Sequence, residues 1–152
     1  MTIAVRPGSL GDRRFIIDAA LYSYRSSYSA GLIPVADFNG IMWPVFEALL
    51  DRPDMRVMVA YETEATPGVA DLYGFIAFEP GPTPLVLYVY TREAARRSGI
   101  ARSLFAAAGV DPSRPFHYAA RTSVVGRIED ARKIPCAKWK PLLARYPNRR
   151  DA

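Results

Sequence analysis

The sequence predicts a single α+β domain built on a mostly antiparallel sheet, and three observations carry that expectation. A sustained helical stripe, Phe38, Ile41, Met42, Val45, Phe46 and Leu49, lies in the first third of the chain. Three strand-like segments follow between Val57 and Tyr90, separated by turns bearing Pro and Gly, which is the pattern of an antiparallel meander. A second helical stripe, Ala101, Leu104, Phe105 and Ala108, and one further strand-like run come after it. The 152 residues suit one domain, large enough to bury about two-thirds of its unfolded surface without a disulfide or metal staple. Its expected extent is residues 1–147, with a frayed tail over 148–152.

Taken in order, Ile3 to Arg6 reads as a short strand, and Pro7-Gly8-Ser9 leads into a helix. The Ser9 hydroxyl can cap that helix while Asp12, three residues on, complements its free amides. Phe15, Ala19 and Tyr22 fall at helical spacing with Ile16 and Ala20 beside them, and Gly31 ends the stretch. The helix through Phe38 to Leu49 contains Pro44, which is expected to bend it. After Asp51 to Asp54 the period becomes two: Val57, Val59 and Tyr61 alternate with Met58 and Ala60. Leu72 to Phe78 is the hairpin partner, and Leu85 to Tyr90 is so continuously apolar that it belongs inside the sheet. Gly109 ends the next helix, Phe116 to Ala120 reads as a strand, and Thr122 caps a helix carrying Val124, Val125 and Ile128. Pro135, Pro141 and Pro147 divide an irregular tail in which Trp139, Leu142 and Leu143 still require burial.

Twenty Lys and Arg against fifteen Asp and Glu leave a net charge of +5, and the surface therefore favours anions. The single cysteine, Cys136, cannot form an internal disulfide, and with one histidine, His117, the chain lacks the ligands of an ordinary zinc site. No apolar run approaches the roughly 18 residues of a membrane span, and Met1 to Pro7 has no signal-peptide core. These features point to a cytoplasmic protein with neither a metal nor a membrane partner.

The chemistry concentrates between Leu85 and Ala108, where a buried strand, a cationic turn with a glycine and an amphipathic helix succeed one another. Such a turn presents backbone N–H groups at the positive end of a helix, which suits it to holding phosphate. Arg92, Arg96, Arg97 and Arg102 are positioned along the chain to neutralise that charge. A side chain at Gly99 would keep the backbone from closing on a pyrophosphate, so Gly99→Val is expected to abolish binding with little change in stability. The same segment also reads as a solvated basic turn before an ordinary helix. Neither G-x-x-x-x-G-K-[ST] nor G-x-G-x-x-G occurs in the chain.

Arg96-Arg97-Ser98-Gly99-Ile100-Ala101 fits the pattern [QR]-x-x-G-x-[GA], and in this it resembles the segment with which the GNAT superfamily of acyl-CoA N-acyltransferases grips coenzyme A. As in that family, the pattern follows a hydrophobic strand and opens a helix, and the order of elements agrees as far as about Arg132. The resemblance implies helices on both faces of the sheet and a wedge where the strand Leu85 to Tyr90 splays from Phe116 to Ala120. It implies acetyl-CoA, or a related acyl-CoA, as cofactor and an amine as acceptor. Tyr88, Val89 and Tyr90 would then offer backbone groups to the pantetheine arm, and Arg96, Arg97, Ser98, Gly99, Ile100, Ala101 and Arg102 would surround the pyrophosphate. The chain is also similar to small GNAT-like proteins of tailed phages in its aromatic, serine-rich first helix and its V-L-Y-V-Y strand. That similarity brings nucleic acid or a phage-related protein into view as the acceptor.

Acyl transfer to an amine requires a deprotonated amine, a polarised thioester carbonyl and a protonated leaving thiolate. Glu79 and Glu93 are the carboxylates nearest the implied wedge, with Glu79 the candidate base. The family's general acid is often a tyrosine on the helix after the fifth strand, yet Thr122 to Arg132 contains none. Tyr118, Tyr146 or Cys136 would have to substitute, with Tyr118 the candidate. His117 reads equally as a satisfied structural histidine or a catalytic one, and Cys136 as a packed thiol rather than a nucleophile. Tyr22, Tyr24 and Tyr28, with Arg25, read either as the lining of an acceptor cleft or as an amphipathic rim.

Three functions are compatible with these residues. The first is an N-acyltransferase acting on an amine of a small molecule, protein or nucleobase. The second is a basic nucleic-acid-binding module. The third is a catalytically inactive relative that binds coenzyme A or a partner protein. The oligomeric state, monomer or homodimer, is left open.

Overall fold

Among the described residues, six strands form one sheet in the order β1-β2-β3-β4-β5-β6, the order in which they occur in the chain. The protein is represented by a computed structural model that describes residues 2–27, 34–64, 72–95, 98–119 and 133–135. The strands are β1 (Ile3–Pro7), β2 (Arg56–Glu62), β3 (Leu72–Glu79), β4 (Leu85–Thr91), β5 (Phe116–Tyr118) and β6 (Lys133–Pro135). The first four pair antiparallel, and β5 and β6 run parallel to β4. Helices α1 (Arg13–Ser27) and α2 (Val35–Leu50) cover one face, and α3 (Ile100–Ala108) covers the other.

The chain enters α1 through a 3-10 turn, Leu10–Asp12, that is tied to β1. Asp12 is buried and accepts hydrogen bonds from Arg6 Nη1 at 2.7 Å, Arg6 Nη2 at 3.0 Å, the Ser9 amide at 2.8 Å and Ser9 Oγ at 3.1 Å. That fork holds the Asp12 carboxyl below the usual carboxylate range, chiefly through the Arg6 bond. Along α1 the buried row is Ile16, Ile17, Ala20, Leu21 and Tyr24. The row expected through Phe15, Ala19 and Tyr22 is rotated outward: Phe15 and Ala19 are half-buried and Tyr22 is 76% exposed. Two apolar rows compete on this helix, and the one carrying Ile17, Leu21 and Tyr24 removes more apolar surface from water.

In α2, Phe38, Met42, Phe46, Leu49 and Leu50 face inward, whereas Ile41, expected in the stripe, is exposed. The helix continues through Pro44, which lies on its exposed side. There the missing N–H removes one helical bond without leaving a buried carbonyl unpaired.

The core has two layers. Val57, Val59, Phe75, Leu85, Leu87 and Tyr88 pack beneath α1 and α2, and Ala60, Ile76, Phe78, Val86 and Val89 pack beneath α3. Helices on both faces, a predominantly antiparallel meander and the α3–β5 crossover agree with the predicted α+β architecture. β6 does not: Lys133–Pro135 was expected inside the irregular tail. A three-residue strand too short to show a period, with a proline at its end, carries no sequence signal that separates it from loop. The helix expected after Thr122, the tail beyond Pro135, and Tyr28, Cys136, Trp139 and Tyr146 lie outside the described residues.

Candidate functional site

The distinctive feature of the sheet lies on β4. Ala77 pairs with Tyr88 and Phe78 with Val86, so Leu87 is an extra residue on β4, a β-bulge. The packing records the same interruption. Leu85, Leu87, Tyr88 and Tyr90 join the α1/α2 layer and Val86 and Val89 the α3 layer, so Leu87 and Tyr88 break the strict alternation of a strand.

Pairing with β5 stops at the same place. Leu85 is matched to His117 and Val86 to Tyr118, with His117 N–H donating to Pro84 C=O at 2.8 Å and Ala119 N–H to Val86 C=O at 3.1 Å. From Leu87 onward, β4 has no strand partner on that edge among the described residues. The bulge bends β4 locally just beyond its last pair with β5, and the course of the chain after Ala119 lies outside the described residues.

Ladder parity identifies the peptide groups that face the β5 side of β4. Arg92 N–H donates to Tyr73 C=O at 2.7 Å, which makes Thr91–Gly74 a non-hydrogen-bonded pair. Alternation then assigns Tyr90 and Tyr88 to the ladder with β3 and turns the N–H and C=O of Val89 and Thr91 away from β3, toward the β5 side of β4. Tyr88, Val89 and Tyr90 were all expected to offer backbone groups to a ligand; ladder parity turns the peptide groups of Val89 away from β3 and those of Tyr88 and Tyr90 toward it. The Tyr88 side chain is buried against Phe46 and Phe75, with its hydroxyl 2.5 Å from Ser23 Oγ.

The C-terminal end of β4 leads toward α3. Gly99 caps that helix in the left-handed conformation, φ 77° and ψ 12°, with no side-chain capping bond. The first helical bond runs from Ser103 N–H to Gly99 C=O at 3.0 Å, so the N–H groups of Ile100, Ala101 and Arg102 precede the ladder. Ser98, Gly99 and Arg102 are exposed, Ala101 is half-buried, and the Ile100 side chain is buried under the helix. Ile100 therefore contributes a backbone amide and not its side chain. Arg96 and Arg97 lie outside the described residues.

Gly74, which the sequence reading did not single out, seats this turn. A Cβ there would lie 2.5 Å from the Tyr90 carbonyl oxygen and 3.5 Å from Ile100 Cγ2. Only glycine lets β3, the end of β4 and the first turn of α3 approach this closely. A mainly apolar groove of roughly 520 Å³ continues along α3, lined by Arg102, Phe105, Ala106, Gly109, Val110 and Asp111 among others.

The structure separates the two side chains expected to transfer protons. Phe78 belongs to the α3 layer, so Glu79 projects toward the α1/α2 side, where Arg52 Nε donates to it at 2.8 Å. Tyr118 packs with the α3 layer. The two stand on opposite faces and do not form one acid–base pair. Glu93 is exposed in a 3-10 turn, Glu93–Ala95, just after β4. The tyrosines of α1 also part company: Tyr24 is buried against Phe38 and Phe46, and Tyr22 is exposed. Among the described residues, no group of three or more His, Cys, Asp or Glu could hold a metal ion, and no helix is long and apolar enough to cross a membrane.

No family model and no curated protein matches the chain. Solved structures do. The PaiA N-acetyltransferase of Thermoplasma acidophilum, in complex with coenzyme A, superimposes over 72% of this chain and 70% of its own at 19% identity and a TM-score of 0.53. A GCN5-related N-acetyltransferase from Ralstonia eutropha does so over 72% and 79% at 17% identity and a TM-score of 0.52. At these identities the likeness establishes the fold, that of the GNAT acetyltransferases.

Proposed function

We propose that this protein is an acyl-CoA-dependent N-acyltransferase that transfers an acyl group, acetyl in the simplest case, from coenzyme A to an amine. One observation carries the reading: a bulged strand that from Leu87 onward has no strand partner on its β5 side among the described residues, followed by a helix N-terminus capped by Gly99. The fold shared with a coenzyme A-bound N-acetyltransferase supports it. The Val89 N–H and C=O, turned away from β3, would pair with the pantetheine arm as a neighbouring strand would. The amides of Gly99, Ile100, Ala101 and Arg102, at the positive end of α3, would hold the diphosphate. Arg96, Arg97 and the Arg102 guanidinium would add countercharge, and the groove beyond Arg102 would take the nucleoside end.

Bound in this way, acyl-CoA would supply an activated thioester, its C–S bond breaking as the amide forms and coenzyme A leaving as the thiol. The chain's part is to orient the thioester, with the Val89 N–H available to a carbonyl on the β5 side of β4, and to admit an amine beside it. Glu79, on the α1/α2 face, is the carboxylate we assign to receiving the amine's proton directly or through water. Tyr118, on the α3 face, is assigned to the wall of the site.

Calorimetry with coenzyme A, and with a DNA oligonucleotide at two salt concentrations, tests the reading. Coenzyme A is expected to bind, and salt-steep binding of DNA alone would replace the proposal with a nucleic-acid-binding module. Thiol release from acetyl-CoA with a panel of amines then distinguishes a transferase from a protein that only binds.

A further inference from the structure

From Leu85 to Val89 every residue of β4 is buried, and both faces of the sheet beneath it are apolar. A slip of one residue moves a side chain from one face to the other, and for Leu or Val either face is acceptable. Hydrophobicity alone therefore gives no reason for Leu87, and not a neighbour, to be the extra residue. Tyr88 differs from the rest, because it is the one residue in this stretch with a polar side-chain atom. It is 1% exposed, its ring lies edge-on to Phe46 and stacked on Phe75, and its hydroxyl is 2.5 Å from Ser23 Oγ on α1.

The consequence follows from the register. Moving the bulge one residue toward the C-terminus would set Leu87 opposite Ala77 and both Tyr88 and Val89 opposite Ile76. Ile76 belongs to the α3 layer, so Tyr88 would turn to that face, away from Ser23. No residue buried in that layer carries a polar side chain, and the phenol would exchange a hydrogen-bonded site for an apolar one. The peptide joining Tyr88 to Val89 would then lie inside the bulge instead of in the ladder, and the Val89 N–H would lose the direction that parity gives it. The opposite slip, with Val86 and Leu87 both opposite Phe78, moves Leu87 and leaves Tyr88 and Val89 as they are. The bond to Ser23 thus opposes the one slip that would disturb Val89.

We propose that the hydrogen bond between Tyr88 and Ser23 fixes the bulge at Leu87 and thereby turns the Val89 peptide groups away from β3, which makes both side chains positioning residues for a ligand held along β4. That the ligand is the arm of an acyl-CoA rests on the acyl-CoA reading; the effect on the strand does not. Neither hydroxyl takes part in bond making, and both act through the backbone.

Tyr88→Phe keeps the ring packing and removes only the hydroxyl. Backbone amide NMR of the free variant should show a second set of signals or exchange broadening at Leu87, position 88 and Val89, with Val59 on β2 unchanged. Ser23→Ala should do the same, the double variant should do no more than either, and Ser23→Thr, which keeps a hydroxyl, should return the parental spectrum. In calorimetry coenzyme A should bind each single variant about threefold to tenfold more weakly, and the double variant no more weakly than the singles. Parental amide signals from Leu87 to Val89 in folded Tyr88→Phe, additive effects in the double variant, or parental coenzyme A affinity beside altered amide signals overturns the proposal. Amide changes as expected in a protein whose unaltered form binds no coenzyme A would overturn the coenzyme reading instead, and leave the anchoring of the strand intact.

Discussion

Replacement of Gly99 separates the conformational role of this residue from its role at the candidate site. Its φ of 77° lies in the left-handed region, and a Cβ built there meets nothing within 4 Å. Crowding within the protein therefore contributes nothing, and the whole stability effect is backbone conformation. A left-handed non-glycine residue costs about 1–2 kcal/mol, partly offset by the reduced freedom of the unfolded chain. For a domain of this size each kcal/mol moves the melting temperature by about 2–4 °C. Gly99→Val is thus expected to melt several degrees lower, which corrects the sequence expectation of nearly unchanged stability. Gly99→Asn should melt closer to the parent, because asparagine tolerates this conformation. Both side chains would occupy the space in front of the amides of Ile100 and Ala101. Coenzyme A affinity, measured by calorimetry, should fall at least tenfold in both, a loss of about 1.4 kcal/mol or more. Parental affinity in Gly99→Val would remove this turn from the site. Equal melting temperatures for the two variants would refute the conformational argument.

Further expectations concern other positions. Asp12→Asn should lower stability by about 1.5–3 kcal/mol in denaturant titrations, since it weakens a buried, charge-assisted fork to the partly exposed Arg6. The folded-state pKa of Asp12 lies below the ordinary aspartate value, chiefly through the Arg6 hydrogen bond, so its contribution is complete above that ordinary value. It is lost as the pH falls through the lower folded value, and acid melts of the parent and Asp12→Asn should converge there. Gly74→Val should cost about 1–3 kcal/mol by overpacking and, by pushing the first turn of α3 from the end of β4, should weaken coenzyme A more than Arg14→Ala, an exposed control. Arg97→Glu combined with Arg102→Glu should abolish coenzyme A binding in calorimetry, and retained binding would move the diphosphate elsewhere.

Much of the architecture was legible because it depends on periods that adjacent residues reveal. The alternation of Val57, Val59 and Tyr61, the unbroken apolar run from Leu85 to Tyr90, and Gly109 at the end of α3 each correspond to a described element within one or two residues. The glycine turn could be read for the same reason, since its meaning lies in its two immediate neighbours, strand and helix. Other features depended on partners distant in the chain. Tyr22 or Tyr24 could each have lined the core, and the choice was made by Phe38 and Phe46 across the helix interface. Gly74 reads as an ordinary strand residue until Tyr90 and Ile100 are brought against it.

The sequence by itself determined the order and kind of the main elements and placed a cationic, glycine-bearing turn after the central strand. Those are consequences of hydrophobic period and of the dihedral freedom of single residues, which act over a few positions. Tertiary structure alone decided that Leu87 is bulged, that the peptide groups of Val89 and not those of Tyr88 or Tyr90 face away from β3, that Glu79 and Tyr118 stand on opposite faces, and that His117 keeps a buried nitrogen without a hydrogen bond. Each of these follows from strand register, and register is set by contacts between segments rather than within them: a slip of one residue would reverse every side chain and every peptide group along the strand.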